Sequence, residues 1–359
     1  MVPAAQANPT GAGRTGLYNT GPFRRRGRPV SDSKPKRPER YLSGIQPSGQ
    51  LHLGNYFGAI VQHLALQQAG NSFYFLANYH ALTSVNDANA LRGHTFEAAV
   101  TYLALGLDPA RSVFFRQSDV PEVTELMWLL LSVTPMGELE RAVSYKDKVA
   151  RGIAPLAGLF TYPVLMAADI LAYESTCVPV GADQIQHIEM TREFARAFNH
   201  IYRTDVFTLP THRLSVGATV PGIDGQKMSK SYGNTIPLFV SGKPLWKLVS
   251  NVKTDSTPVE APKNPDTCNV FALYALFANA TEKTEMAQRY TRGGMGYGEV
   301  KKALYEKIEE HFAGARMRRE QLLKDPAFVE DVLREGAKKA RAVARAVTDR
   351  ARAACGVDR

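Results

Sequence analysis

YLSGIQPSGQLHLGNYFGAIVQHLALQQ, residues 41–68, sets the architecture. Residues 41–45 are apolar or small, and 41–46 read as a short strand. Pro47-Ser48-Gly49 breaks that strand, and a helical pattern follows from about 54 to 68. The same unit then recurs. Residues 72–78 form an aromatic-rich strand pattern, 87–105 a helix, and SVFFR at 112–116 a buried strand. Helices are expected over 123–133 and in parts of 137–173. A strand is expected at 177–180, then a helix at 183–199 with Ile185, Ile188, Phe194 and Phe198 as its apolar positions. Strand alternating with helix predicts an α/β fold, a doubly wound Rossmann-like parallel sheet with helices on both faces. Past Pro244 no strand pattern remains, and 245–354 read as a C-terminal helical bundle.

The composition bounds the rest. The chain has 359 residues, enough for two domains, and 44% are hydrophobic. Its longest apolar stretch, 126–133, is well short of the roughly 20 residues that span a bilayer. The N-terminus lacks the apolar core of a secretory signal. The three cysteines, Cys177, Cys268 and Cys355, are scattered and odd in number. No disulfide framework or zinc site is expected, and a reducing, cytoplasmic setting is. Of the net charge of +10, residues 1–40 hold +7, from nine basic and two acidic residues. The body is only mildly basic, so charge alone is weak support for a nucleic-acid partner. Residues 1–38, rich in Pro, Gly and Arg, are expected to be a disordered basic tail. A transit segment or a mis-assigned start would share that composition. The expected division is thus 1–38 tail, 39–240 Rossmann-like catalytic domain with a helical insertion, and 241–359 helical domain.

In a doubly wound sheet, ligands sit at the carboxyl ends of the strands near the switch point. The first such end is residues 43–60, where glycines admit a ligand close to backbone and His52 and Asn55 add polar groups. It lacks the Walker pattern, and a plain strand-to-helix turn would look similar. QKMSKS, residues 226–231, places Lys227 and Lys230 on a glycine-flanked segment. Such a segment is either a solvated loop or a mobile phosphate clamp.

Taken together, these two stretches carry a family resemblance. His52-Leu53-Gly54-Asn55 resembles the His-Ile-Gly-His motif of class I aminoacyl-tRNA synthetases. Lys227-Met228-Ser229-Lys230-Ser231 is similar, letter for letter, to the second motif of that class, about 170 residues further on. SGIQPSGQLHLGNY (43–56), TYPVLMAADIL (161–171) and VPVGADQIQHIEMTREFARAFN (178–199) resemble the bacterial tryptophanyl members more than their tyrosyl siblings. The resemblance covers residues 41–355. It implies activation of L-tryptophan with ATP and transfer to tRNA(Trp). ATP contacts are implied at Gln46, Pro47, Ser48, Gly54 and Asn55. Others fall at Gly181, Ala182 and Asp183 near the ribose, at Val220 near the adenine, and at Lys227, Met228, Ser229, Lys230 and Ser231. Lys227, Lys230, Asn55 and His52 are implied in catalysis. Lys148 either adds a cation to the triphosphate or is a solvated helix lysine. Asp169 would accept the indole N–H, a donor-only group, while Met166, Tyr162, Val178 and Val180 pack the ring. Gln184 and His80 would meet the substrate's amino-acid end.

The implied cofactor is ATP with Mg²⁺, with no metal held by the protein. A homodimer is implied, without membrane or DNA partners. Arg334, Lys338, Arg341 and Arg345, spaced 4, 3 and 4, share a helical face that would meet tRNA phosphates or simply be solvated. The sequence departs from familiar relatives at Leu42, where they carry an aromatic, and at Ala182, where they carry Glu. Tyr232-Gly233-Asn234 replaces their acidic start after the lysine motif. A non-catalytic paralogue that only binds tRNA is the other class consistent with this pattern, though the intact glycine and lysine motifs argue against it.

Overall fold

In the computed structural model, residues 39–142, 145–146, 150, 152, 156–214 and 219–358 are described. The expected tail 1–38, Lys148 and the side chain of Asp183 lie outside the described residues. In chain order the elements are β1 (Tyr41–Ile45), α1 (Leu53–Asn55), α2 (Val61–Leu66), β2 (Ser72–Leu76), α3 (Asn78–Ala81) and α4 (Ala88–Ala104). Then come β3 (Ser112–Arg116), α5 (Glu122–Leu131), α6 (Met136–Glu140), α7 (Ala157–Ala172), β4 (Cys177–Val180), α8 (Ile185–Ile201) and β5 (Thr211–Leu214). The chain ends in α9 (Gly242–Ser250), α10 (Asn269–Ala275), α11 (Ala280–Arg292), α12 (Tyr297–Lys324) and α13 (Pro326–Cys355).

The five strands form one parallel sheet in the order β3-β2-β1-β4-β5. The order reverses between β1 and β4, which makes their carboxyl ends the switch point. Side chains alternate across the sheet. On β2, Phe73 and Phe75 enter one core cluster, while Tyr74 and Leu76 enter the other. Both faces are thereby covered, as a parallel sheet requires.

Two expectations change here. The sequence pattern contained four strands, and β5 is a fifth. Its residues Thr-His-Arg-Leu are all exposed at the sheet edge, so no apolar alternation marks it. The single helix expected over 54–68 is interrupted by a wide π turn, Tyr56–Ile60. Tyr56 and Phe57 are drawn into an aromatic cluster with Phe277, His311 and Phe312, and the Tyr56 hydroxyl lies 2.8 Å from His311 Nε2.

Glu39 to Arg359 form one compact unit. Asp325 and Pro326 start α13, Asp325 accepting from the Phe328 amide at 3.1 Å. Alanines and valines then face inward: Ala337, Ala340, Ala344 and Val347 join the core cluster that holds Phe115 and Val123. A Cβ at Gly336 would lie 1.8 Å from the Phe114 carbonyl oxygen, so only glycine lets α13 lie this close to β3. Arg116 on β3 ties the two together through Glu330 at 2.5 Å.

Candidate active site

The chain leaves β1 at Ile45 and turns through Gln46–Gly49. Gly49 has φ +126°, a backbone conformation that suits only glycine. His52 caps the helix that follows. Its Nδ1 accepts from the Gly54 amide at 3.1 Å, and Asn55 Oδ1 accepts in return from the His52 amide at 3.1 Å. Burial, with the Lys230 cation adding to it, lowers the His52 pKa to about 4. The ring is therefore neutral at neutral pH, and it holds the turn by accepting at Nδ1.

The lysine motif is docked against this turn. Leu53 N–H donates to Ile236 O at 3.0 Å and Leu238 N–H to Leu51 O at 3.1 Å. Met228 is buried, its amide bonded to Val220 O at 2.9 Å. A Cβ on Gly54 would meet Met228 Cβ at 3.4 Å. Lys230 Nζ donates to Gly49 O at 2.9 Å, and burial pushes its pKa down. Lys227 is exposed.

Asn234 organises the loop that carries both lysines, and sequence reasoning did not assign it a role. It is 2% exposed. Its Oδ1 accepts from the Ser229 amide at 2.8 Å, and its Nδ2 donates to Asp224 Oδ1 at 2.8 Å and Lys227 O at 3.2 Å. The segment is thus a loop pinned at its centre with one lysine tethered, rather than a freely bending strip.

At the switch point lies a cavity of about 460 Å³, within the roughly 300–1,000 Å³ of small-molecule sites. Asp169, Met166, Tyr162, His80, Val178, Val180 and Gln184 all line it, as do Gln46 and Gly181. Leu42, Ser43, Gly44 and Phe75 are also among its lining residues. Gly181 precedes a 3₁₀ turn, Ala182–Gln184, that leads into α8. The lysine motif, His52 and Asn55 are not part of this lining.

Inside the cavity wall, Asp169 is not waiting for its first partner. It is 1% exposed on α7. His80 Nε2 lies 2.8 Å from Oδ2, and Gln117 Nε2 donates to Oδ1 at 2.9 Å and Oδ2 at 2.8 Å. Burial raises the Asp169 pKa, opposed by His80 and Gln117. His80, expected at a substrate's amino-acid end, reaches the carboxylate from the cavity wall. Tyr162 packs edge-on to the His80 ring, and its hydroxyl is 2.8 Å from His187 Nε2.

The basic face of α13 is partly occupied as well. Arg334 pairs with Asp331, Lys338 with Glu335 at 2.6 Å, and Arg341 with Glu122 at 2.7 Å. Acids three residues back on the same helix, and one on α5, supply the partners. Arg345 has no ion pair among the described residues.

A doubly wound sheet, a His-Leu-Gly-Asn turn at its first strand end and a Lys-Met-Ser-Lys-Ser loop docked on that turn are together the frame of a class I tRNA synthetase. A family model described as "tRNA synthetases class I (W and Y)" matches residues 34–313. The chain belongs to that family. The tryptophan–tRNA ligase of Rhodopirellula baltica is 56% identical over 319 residues, covering 89% of this chain and 99% of the relative. That of Fusobacterium nucleatum is 54% identical over 307 residues, covering 85% of this chain and 94% of its own. The crystal structure of the Campylobacter jejuni tryptophanyl-tRNA synthetase, complexed with ADP and tryptophan, superposes with a TM-score of 0.83 at 48% identity. It covers 88% of this chain and 99% of that one.

Proposed function

We propose that this chain is a tryptophan–tRNA ligase whose amino-acid pocket is the switch-point cavity. The observation that carries this is the buried carboxylate of Asp169 in a cavity whose apolar lining includes Met166, Val178, Val180 and Phe75. An indole ring is apolar with a single donor, and such a wall matches it. The high identity to tryptophan–tRNA ligases over nearly their whole length supports the same reading.

The tryptophan carboxylate attacks the α-phosphorus of ATP, forming the adenylate and releasing pyrophosphate. Mg²⁺ enters as part of the ATP substrate and neutralises its phosphates. Little covalent work falls to the protein, so positioning and charge stabilisation carry the rate. Gln46–Ser48, Gly54, Asn55, Gly181 and Val220 surround the nucleotide, and His52 fixes the turn that presents them. Lys227 and Lys230 meet the leaving pyrophosphate, with Met228 as the buried pivot between them. The terminal ribose 2′-hydroxyl of the tRNA then attacks the adenylate carbonyl, and AMP leaves. Residues 241–359 form the tRNA-facing part of the molecule, a functional division within one folded unit. Arg345, without an ion pair among the described residues, is the cation of the α13 face left to meet a phosphate. Exposed Trp128, Met136 and Leu156 supply an apolar surface for a homodimer. No described helix is long and apolar enough to cross a membrane, and the cytoplasm is the proposed site of action.

The test is charging. The full chain with ATP and Mg²⁺ should load labelled tryptophan onto bacterial tRNA and catalyse tryptophan-dependent ATP–pyrophosphate exchange without tRNA. Binding of tRNA without exchange would refute catalysis.

A further inference from the structure

Gln117 is 0% exposed, yet every polar atom of its side chain is engaged. It follows β3 in a 3₁₀ turn at the carboxyl end of the sheet, two strands away from β1 at the switch point. Oε1 accepts from the amides of Tyr79, at 3.0 Å, and His80, at 3.4 Å. Nε2 donates to both oxygens of Asp169. The amide can sit only one way round, because a flip would oppose oxygen to carboxylate and NH₂ to N–H. One side chain thus fixes α3 and α7 to each other, along with the two polar groups they bring to the cavity, the His80 ring and the Asp169 carboxylate.

From this geometry we infer that Gln117 is a specificity-determining positioning residue. It holds the Asp169 carboxylate in the orientation that receives the substrate's ring N–H. The inference rests on the proposed tryptophan reading of the cavity. A carboxylate has about four lone-pair sites. Gln117 and His80 together make three contacts to Asp169, which leaves capacity for one more donor. Without Gln117, the carboxylate keeps His80 as its remaining side-chain partner among the described residues and is free to rotate about its own bond. A phenylalanine or tyrosine ring, with no donor at that point, would lose nothing by such a rotation.

Gln117→Glu is the informative change. It has the same shape, but its ionised form faces oxygen toward Asp169. Two carboxylates in contact share one proton, and one of their pKa values rises strongly. With that proton, the introduced carboxyl group again donates to Asp169 while its other oxygen accepts from the amides of Tyr79 and His80. The other titratable groups around Asp169 are His80 on α3, Tyr173 just beyond α7, and Glu122 on α5, which pairs with Arg341. Tyr162 and His187 lie behind the His80 ring. All of these are present in both proteins, so the ratio of variant to wild type isolates residue 117.

The experiment measures ATP–pyrophosphate exchange by the full chain from pH 6 to 8.5, with tryptophan, tyrosine and phenylalanine. At pH 8 we expect Gln117→Glu to raise KM for tryptophan by roughly 10–100-fold, the range for losing a hydrogen bond to a charged group. Its kcat should move less, and discrimination against tyrosine and phenylalanine should narrow. Toward pH 6 the variant should recover relative to wild type. Gln117→Met, which cannot donate at any pH, should show the KM defect without recovery. Three results would overturn the inference: no acid recovery of Gln117→Glu, an equal loss for all three amino acids, or a fall in kcat alone. Failure of Gln117→Glu to fold even at pH 6, where it mimics glutamine, would overturn it too. Absence of tryptophan-dependent exchange by the wild type would instead sink the tryptophan reading itself.

Discussion

Asn234→Ala removes the hub of the lysine loop without touching either lysine. Three hydrogen bonds disappear, to the Ser229 amide, Asp224 Oδ1 and Lys227 O. An ordinary hydrogen bond contributes about 0.5–1.5 kcal/mol net, and one to a charged group about 1.5–3 kcal/mol. Asp224 and the Lys227 carbonyl lie near the surface, where water replaces part of what is lost. The net loss is therefore about 1–3 kcal/mol, which lowers the docked-to-undocked ratio of the loop about 5–150-fold and its docked population by up to that factor. No bulky neighbour fills the gap, because Gly222 faces Asn234 with no side chain of its own: a Cβ there would lie 2.3 Å from Asn234 Nδ2. In the proposed mechanism, Lys227 and Lys230 act on the pyrophosphate only from the docked loop. Adenylation kcat, read by single-turnover formation of the tryptophanyl adenylate, should thus fall by a factor in that range. KM for tryptophan should hold, since no residue from 222–234 lines the cavity. Global stability should change little, as the loosened segment is a surface loop. Asn234→Asp keeps the acceptor for Ser229 but sets a carboxylate against Asp224, and should lose at least as much. An unchanged kcat with a raised tryptophan KM would refute this account of the loop.

Three further outcomes follow from the same geometry. Gly336→Ala should lower the thermal midpoint by several degrees, because its Cβ meets the Phe114 carbonyl and α13 must shift off β3; overpacking costs about 1–3 kcal/mol. An unchanged midpoint would show that α13 is not held there. His52 and His63 are buried with pKa values lowered to about 4, so both are neutral in the fold and gain protons more readily when unfolded. Their contribution is complete above the unfolded value of about 6.5 and drains away as pH falls from there toward 4. Denaturant midpoints should decline across that window, and a flat profile would contradict the assignment. Arg345→Ala should raise KM for tRNA in charging while leaving exchange intact, and Arg334→Ala, whose cation is already paired with Asp331, should do so less. Equal effects of the two would remove the distinction.

Legibility in the sequence followed burial and period. β1 to β4 carry apolar runs flanked by glycine and proline, and their alternation with helices was enough to predict a parallel sheet, though not its strand order. β5 carries no such mark, because an exposed edge strand needs backbone partners and not an apolar face. Several cavity-lining residues could be named singly, since motif stretches 161–171 and 178–199 contain nine of the twenty. Their mutual contacts could not: His80 and Asp169 are 89 positions apart, and only the fold brings Nε2 to Oδ2. Gln117 and Asn234 escaped for a related reason. A buried amide in FFRQSD or SYGNT has no period and no charge, and its value lies entirely in what surrounds it. Polar residues just past a strand end, at the carboxyl edge of the sheet, are the one signal that could have flagged Gln117.

The central claim is that a carboxylate in the switch-point cavity selects an indole. Its most direct measurement is kcat/KM for ATP–pyrophosphate exchange by the full chain with tryptophan, tyrosine and phenylalanine under identical conditions. A site built to bond a substrate N–H rejects analogues lacking it by about 10⁴–10⁵. The preference of this chain for tryptophan should approach that scale. Comparable values for tryptophan and phenylalanine, or a preference for tyrosine, would contradict it.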